Sequence, residues 1–185
     1  DKASEAGADA IKIQTYTADT ITLNSDKKDF VINDDSSLWS GEKLHSLYQK
    51  AYTPWEWHEK IIDYCNEKKI TCFSSPFDES AVEFLNKFQL PAYKIASFEN
   101  NHIPLIKCAA KKGKPLIIST GMSTVSEIQK AVYAAREEGC NDIVLLKCTS
   151  TYPASPLNSN ISTIPHLKSL FNTEVGISDH TLGIG

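Results

Sequence analysis

Three lysines interrupt apolar runs in this chain: Lys12 in Ala10-Ile11-Lys12-Ile13-Gln14, Lys94 in Ala92-Tyr93-Lys94-Ile95-Ala96-Ser97, and Lys147 in Ile143-Val144-Leu145-Leu146-Lys147-Cys148-Thr149-Ser150. An ammonium buried without a partner costs several kcal/mol, so a lysine in such a run has a reason to be there. One lysine can snorkel to solvent; three near the ends of three runs point to a shared pocket for phosphate and carboxylate, which a compact cation with three donors suits. Hydroxyls follow the same runs: Ser75, Ser97, Ser119, Thr120, Thr149, Ser150 and Ser178. A single serine there is ordinarily a helix cap, whereas a ring of them with backbone N–H groups forms a cage for phosphate oxygens. The last run ends in Ser178-Asp179-His180. A histidine just past a strand can be structural, a metal ligand or a general base, and Asp179 can orient it. No H-E-x-x-H, P-loop or close His/Cys cluster occurs, so a metal at His180 needs ligands from elsewhere. His45 and His58 read as packing or surface residues, and Tyr48, Trp55 and Trp57 as core between helices and strands.

The elements that must position these groups are legible. Six runs begin near Ala10, Thr71, Ala92, Pro115, Ile143 and Val175, apolar on both faces as strands of a covered parallel sheet are. Helical signals separate them. Thr53-Pro54-Trp55-Glu56 reads as a capping box opening a helix to about Lys69. Asp78 caps a helix through Phe88, and Pro104 opens one to Lys111, stopped by Gly113. Thr124-Val125-Ser126-Glu127 is a second capping box, opening a helix to Glu138 with Gly139 as its stop. Pro165 opens a weaker helix near Leu167 to Phe171. A polar insertion from Thr15 to Gly41 reads as a functional or mobile loop. The expected fold is α/β, a (β/α)8 barrel present as about strands two to seven, with residues 1–185 a partial catalytic domain; an open doubly wound sheet is the competing topology. In either, ligands bind where strands end, so six polar exits describe one mouth.

Composition sets limits. The 185 residues are 41% hydrophobic with a net charge of −4, enough for one sizeable core and unsuited to a nucleic-acid partner. No run approaches the ~20 apolar residues that cross a bilayer, and no leader-like segment opens the chain, so a cytoplasmic protein with no membrane partner is expected. The five cysteines, Cys65, Cys72, Cys108, Cys140 and Cys148, form no C-x-x-C and read as reduced thiols, with a nucleophilic Cys148 the alternative.

Six segments, in order along the chain, resemble the sialic-acid synthase family: Gly7-Ala8-Asp9-Ala10-Ile11-Lys12-Ile13-Gln14, Ser74-Ser75-Pro76-Phe77-Asp78, Tyr93-Lys94-Ile95-Ala96-Ser97, Ser119-Thr120-Gly121-Met122, Tyr152-Pro153, and Gly176-Ile177-Ser178-Asp179-His180-Thr181. Within that family, Thr53-Pro54-Trp55-Glu56-Trp57-His58 and Ala96-Ser97-Phe98-Glu99 are most similar to the pseudaminic acid synthase branch. Ser75, Lys147 and Ser150 stand where neuraminate synthases typically carry Thr, His and Asn. The resemblance implies condensation of phosphoenolpyruvate with an amino-sugar aldehyde, a 2,4-diacetamido-2,4,6-trideoxy hexose being favoured. It implies Lys12, Lys94 and His180 as catalytic residues, and Lys12, Ser75, Lys94, Ser97, Ser119, Ser150 and Ser178 as holding phosphoenolpyruvate. Gln14, Tyr152 and Asp179 would face the sugar, and His180 would bind a divalent metal, Mn or Mg. It further implies a homodimer, a second histidine ligand on a following strand, a glutamate on a preceding strand and a C-terminal antifreeze-like domain, none within these residues. A neuraminate or legionaminate synthase, a Schiff-base aldolase using Lys94 or Lys147, and a non-catalytic phospho-ligand module remain as alternatives.

Overall fold

The computed structural model describes residues 1–34 and 37–183. The chain divides into two compact units, Asp1–Phe88 and Gln89–Gly185.

In the first unit, α1 (Lys2–Glu5) leads into β1 (Ala10–Thr15), and α2 (Ala18–Ile21), α3 (Leu44–Ala51) and α4 (His58–Glu67) precede β2 (Thr71–Pro76) and α5 (Glu79–Leu85). The strands are parallel, with Lys12 opposite Phe73 and Gln14 opposite Ser75. Side chains alternate across a strand. Ile11 and Cys72 therefore face one way, packing with Cys65, Ile61 and Ile62 of α4, while Lys12, Gln14 and Ser75 face the other. Asp78 caps α5 as expected, accepting from the Ser80 and Ala81 amides; the helix ends at Leu85, short of Phe88.

Three expectations are corrected here. The Thr53 capping box does not form: Trp55–Trp57 is a 3-10 turn whose cap residue is Pro54, without a side-chain cap bond. The turn is held instead by the Trp55 indole, which donates to Tyr16 O (3.2 Å) and packs on Phe84. Trp57 is not core; it is 55% exposed. The insertion after β1 is not structureless, since it carries α2, a 3-10 turn at Lys28–Phe30 and an antiparallel bridge between Val31 and Lys43. Asp35 and Ser36, within that insertion, lie outside the described residues.

The second unit holds β3 (Tyr93–Ile95), α6 (Ile103–Ala110), β4 (Leu116–Ser119), α7 (Val125–Glu137), β5 (Ile143–Cys148), α8 (Thr163–Phe171) and β6 (Glu174–Ser178). All neighbouring strands are parallel and follow one another in chain order, without the order reversal that marks a doubly wound sheet. The core is fully buried aliphatic packing between helices and sheet: Leu105 and Ile106 of α6, Val132 of α7, Leu116 and Ile118 of β4, and Leu145 of β5. The Thr124 capping box forms, with Thr124 and Glu127 bonding each other's backbone amides. Gly113 and Gly139 stop α6 and α7 with φ of +69° and +87°, a region L-residues avoid. α8 begins at Thr163, two residues before Pro165, and ends on left-handed Asn172. None of the five cysteines is in a disulfide, and four of them are buried.

Candidate active site

In the second unit the exits of β3, β4 and β5 converge on a chain of polar contacts. Lys94 is 6% exposed. Its Nζ donates to Ser119 Oγ at 2.5 Å and to Ile95 O at 3.1 Å. Ser97 Oγ and Ser150 Oγ lie 2.9 Å apart, joining the β3 exit to the β5 exit. Gly121 explains how they meet: a Cβ built there would overlap both hydroxyls. The backbone after β4 thus passes where only glycine fits, beside two hydroxyls.

Asn100, 1% exposed, donates to Ser119 O at 3.1 Å and steadies that turn. Glu99 received no role from the sequence, although it lies only two residues beyond Ser97. Its Oε2 is buried without a hydrogen-bond partner. Burial pushes the Glu99 carboxyl above its ordinary range, with Lys94 pulling the other way. A carboxyl so placed keeps its proton to a higher pH than an exposed glutamate does.

The β6 exit carries a second arrangement. His180 Nδ1 lies 3.0 Å from Thr149 O. The bond assigns the proton to Nδ1 and leaves Nε2 as a lone-pair donor. The Tyr152 ring packs 4.4 Å from the imidazole while 65% exposed. Burial raises the Tyr152 pKa, so the phenol stays protonated. Asp179 accepts from the Thr181 amide and hydroxyl (3.0 Å each), which holds its carboxyl below the ordinary value. It does not touch His180 through a side-chain bond, so the orienting partner is Thr149 O rather than Asp179. Ser178 sits opposite Cys148 in register, half-buried. Among the described residues no three His, Cys, Asp or Glu side chains cluster as a metal site.

Lys147 does not join Lys94. Alternation along β5 sets Leu146 and Cys148 on the face that leads to Ser150, and Lys147 on the opposite one. Its Nζ bonds Thr149 Oγ1 (3.0 Å) and Asn158 O (3.3 Å). There it lines a cavity of about 480 Å3 whose walls include His166 and Leu170 and also reach Gly121 and Ser150 at the strand exits. In the first unit, Lys12, Gln14 and Ser75 share a strand face as expected, but only Ser75 is buried. Lys12 is exposed, yet the protein around it lowers its ammonium pKa through desolvation.

The family model described as the NeuB family matches residues 1–185. The chain belongs to the NeuB family. The pseudaminic acid synthase of Campylobacter jejuni is 51% identical over 98% of this chain and 52% of its own length. That of Helicobacter pylori is 43% identical over 97% of this chain and 52% of its own length. The crystal structure of an N-acetylneuraminic acid (sialic acid) synthetase from Leptospira borgpetersenii, in complex with citrate, superposes with a TM-score of 0.85 at 29% identity, covering 99% of this chain and 58% of that one. The chain thus spans about half the length of the curated relatives it matches. The NeuB-family chain is part of a (β/α)8 barrel, the fold of its structural neighbours.

Proposed function

We propose that the protein carrying this chain condenses phosphoenolpyruvate with a 2,4-diacetamido-2,4,6-trideoxy hexose in its aldehyde form, releasing phosphate and giving a nonulosonic acid. The observation that carries the reading is the buried Lys94–Ser119 contact beside the Ser97–Ser150 pair, in a chain half identical to a pseudaminic acid synthase. An ammonium and hydroxyls fixed before substrate arrives stabilise an anion without reorganising when it reacts.

In this reaction C3 of phosphoenolpyruvate attacks the aldehyde carbon. Water adds to the cation left at C2, and the C2–O bond to phosphate then breaks. Lys94, Ser97, Ser119, Ser150 and Ser178 hold the phosphate and carboxylate, joined by Lys12 and Ser75; Gln14, Tyr152 and Asp179 face the sugar. Glu99 is suited to exchanging a proton with the reacting groups. His180 fits a divalent metal, Mn or Mg, because Thr149 O takes the Nδ1 proton and frees Nε2. When bound, such an ion supplies Lewis-acid polarisation of the aldehyde. A homodimer in the cytoplasm completes the reading by resemblance; no helix among the described residues is long and apolar enough to cross a membrane.

The test is chemical. EDTA abolishes phosphate release and Mn2+ or Mg2+ restores it, and borohydride with substrate traps no adduct. A trapped adduct at Lys94, with turnover indifferent to EDTA, would replace this reading with Schiff-base chemistry.

A further inference from the structure

Behind Gln14 and Ser75, on the helix face of β1 and β2, lies a polar chain that the reaction above does not use. Thr15, Ser74 and His58 are each 0% exposed. Thr15 Oγ1 is 2.7 Å from His58 Nε2 and 2.7 Å from Ser74 Oγ, which also lies 3.2 Å from Ile13 O. His58 Nδ1 is 3.3 Å from Pro54 O, and the ring stands edge-on to Phe84 at 5.2 Å.

The hydrogen-bond directions are constrained. Nδ1 lies against the Pro54 carbonyl, and the backbone of Trp55 also accepts from the ring, so the proton sits on Nδ1 and is donated there. Nε2 then accepts the Thr15 hydroxyl proton, and Ser74 shares its single proton between Thr15 Oγ1 and Ile13 O. Desolvation lowers the imidazole pKa, which keeps the ring neutral and Nε2 an acceptor. Three buried polar groups cost more than an apolar filling unless all are satisfied, and when satisfied they fix one geometry. What they fix is the last residues of two strands. Thr15 follows Gln14, Ser74 precedes Ser75, and Gln14 pairs with Ser75 in register.

We infer that His58 is a positioning residue, acting through Thr15 and Ser74 to set the backbone from which Gln14 and Ser75 reach the substrates. The inference rests on the proposed condensation for its kinetic consequence, but the polar chain itself is testable without turnover.

The experiment compares the whole wild-type protein with Thr15→Val, Thr15→Ser and Ser74→Ala. It reads KM for each substrate, kcat, the melting temperature and the His58 imidazole nitrogen signals by NMR. Misplacing a binding group by a fraction of an ångström costs about tenfold or more in kcat/KM. Thr15→Val is expected to show that loss, chiefly in KM, with Thr15→Ser within a few-fold of wild type, and the wild-type ring protonated at Nδ1 alone. Ser74→Ala, which keeps the Thr15–His58 contact, serves if Thr15→Val does not fold, and is expected to lose in the same direction. Unchanged kinetics in the folded variants overturn the inference, as does a Thr15→Ser protein as impaired as Thr15→Val, or a wild-type ring protonated at Nε2. A wild-type protein that makes no product while His58 is protonated at Nδ1 and its signals shift in Thr15→Val defeats the condensation reading and leaves the polar chain standing.

Discussion

Lys94 and Lys12 carry the same charge in opposite settings. Lys94 is sunk among hydroxyls and carbonyls, and Lys12 is exposed on a strand face with a depressed pKa. Each setting makes its own prediction. Loss of one preorganised donor costs about 3 kcal/mol of transition-state binding, so Lys94→Ala should lower kcat/KM by roughly a hundredfold or more. Steady-state kinetics of the whole protein would check this, and wild-type turnover would refute the assignment. For Lys12 the sign follows from its cause. Desolvation disfavours the ammonium, so the proton leaves at a lower pH than from a free lysine. Binding of an anionic substrate should therefore weaken on an alkaline limb that begins below the ordinary lysine range. Lys12→Arg, whose guanidinium stays charged, should move that limb upward; an unchanged limb in a pH–rate profile would separate it from Lys12.

The β4–α7 turn is the element that brings two strand exits together. Ser97 and Ser150 can touch only because Gly121 has no Cβ. Gly121→Ala should force the hydroxyls apart and cost about a hundredfold in kcat/KM, as an ångström of misplacement does. The melting temperature should move little, because the capping box that starts α7 is untouched. Kinetics and melting measured together would check this, and normal kinetics would show that the hydroxyl pair is dispensable.

At this scale the sequence is informative where one local rule governs. Each expected strand appears, as do the Asp78 cap, the Thr124 box and the stops at Gly113 and Gly139. It misleads where tertiary contacts decide. The Thr53 box has the right residues, but a tryptophan anchored on Tyr16 O takes over the turn. Lys147 lies in a run apolar on both faces, so nothing in its neighbours said which face was the mouth. Glu99 escaped because the burial of a carboxylate is not visible in composition. The Thr15–Ser74–His58 chain escaped because its members are 59 and 43 residues apart.

For the whole molecule, membership in the NeuB family and 51% identity to a pseudaminic acid synthase support the proposed condensation. The decisive measurement is phosphate release from phosphoenolpyruvate by the whole protein with Mn2+, supplied in parallel with a 2,4-diacetamido-2,4,6-trideoxy hexose and with N-acetylmannosamine. Release that depends on the diacetamido sugar and is absent or far slower with N-acetylmannosamine is expected. Release with N-acetylmannosamine alone, or none with either sugar, would contradict the proposed function.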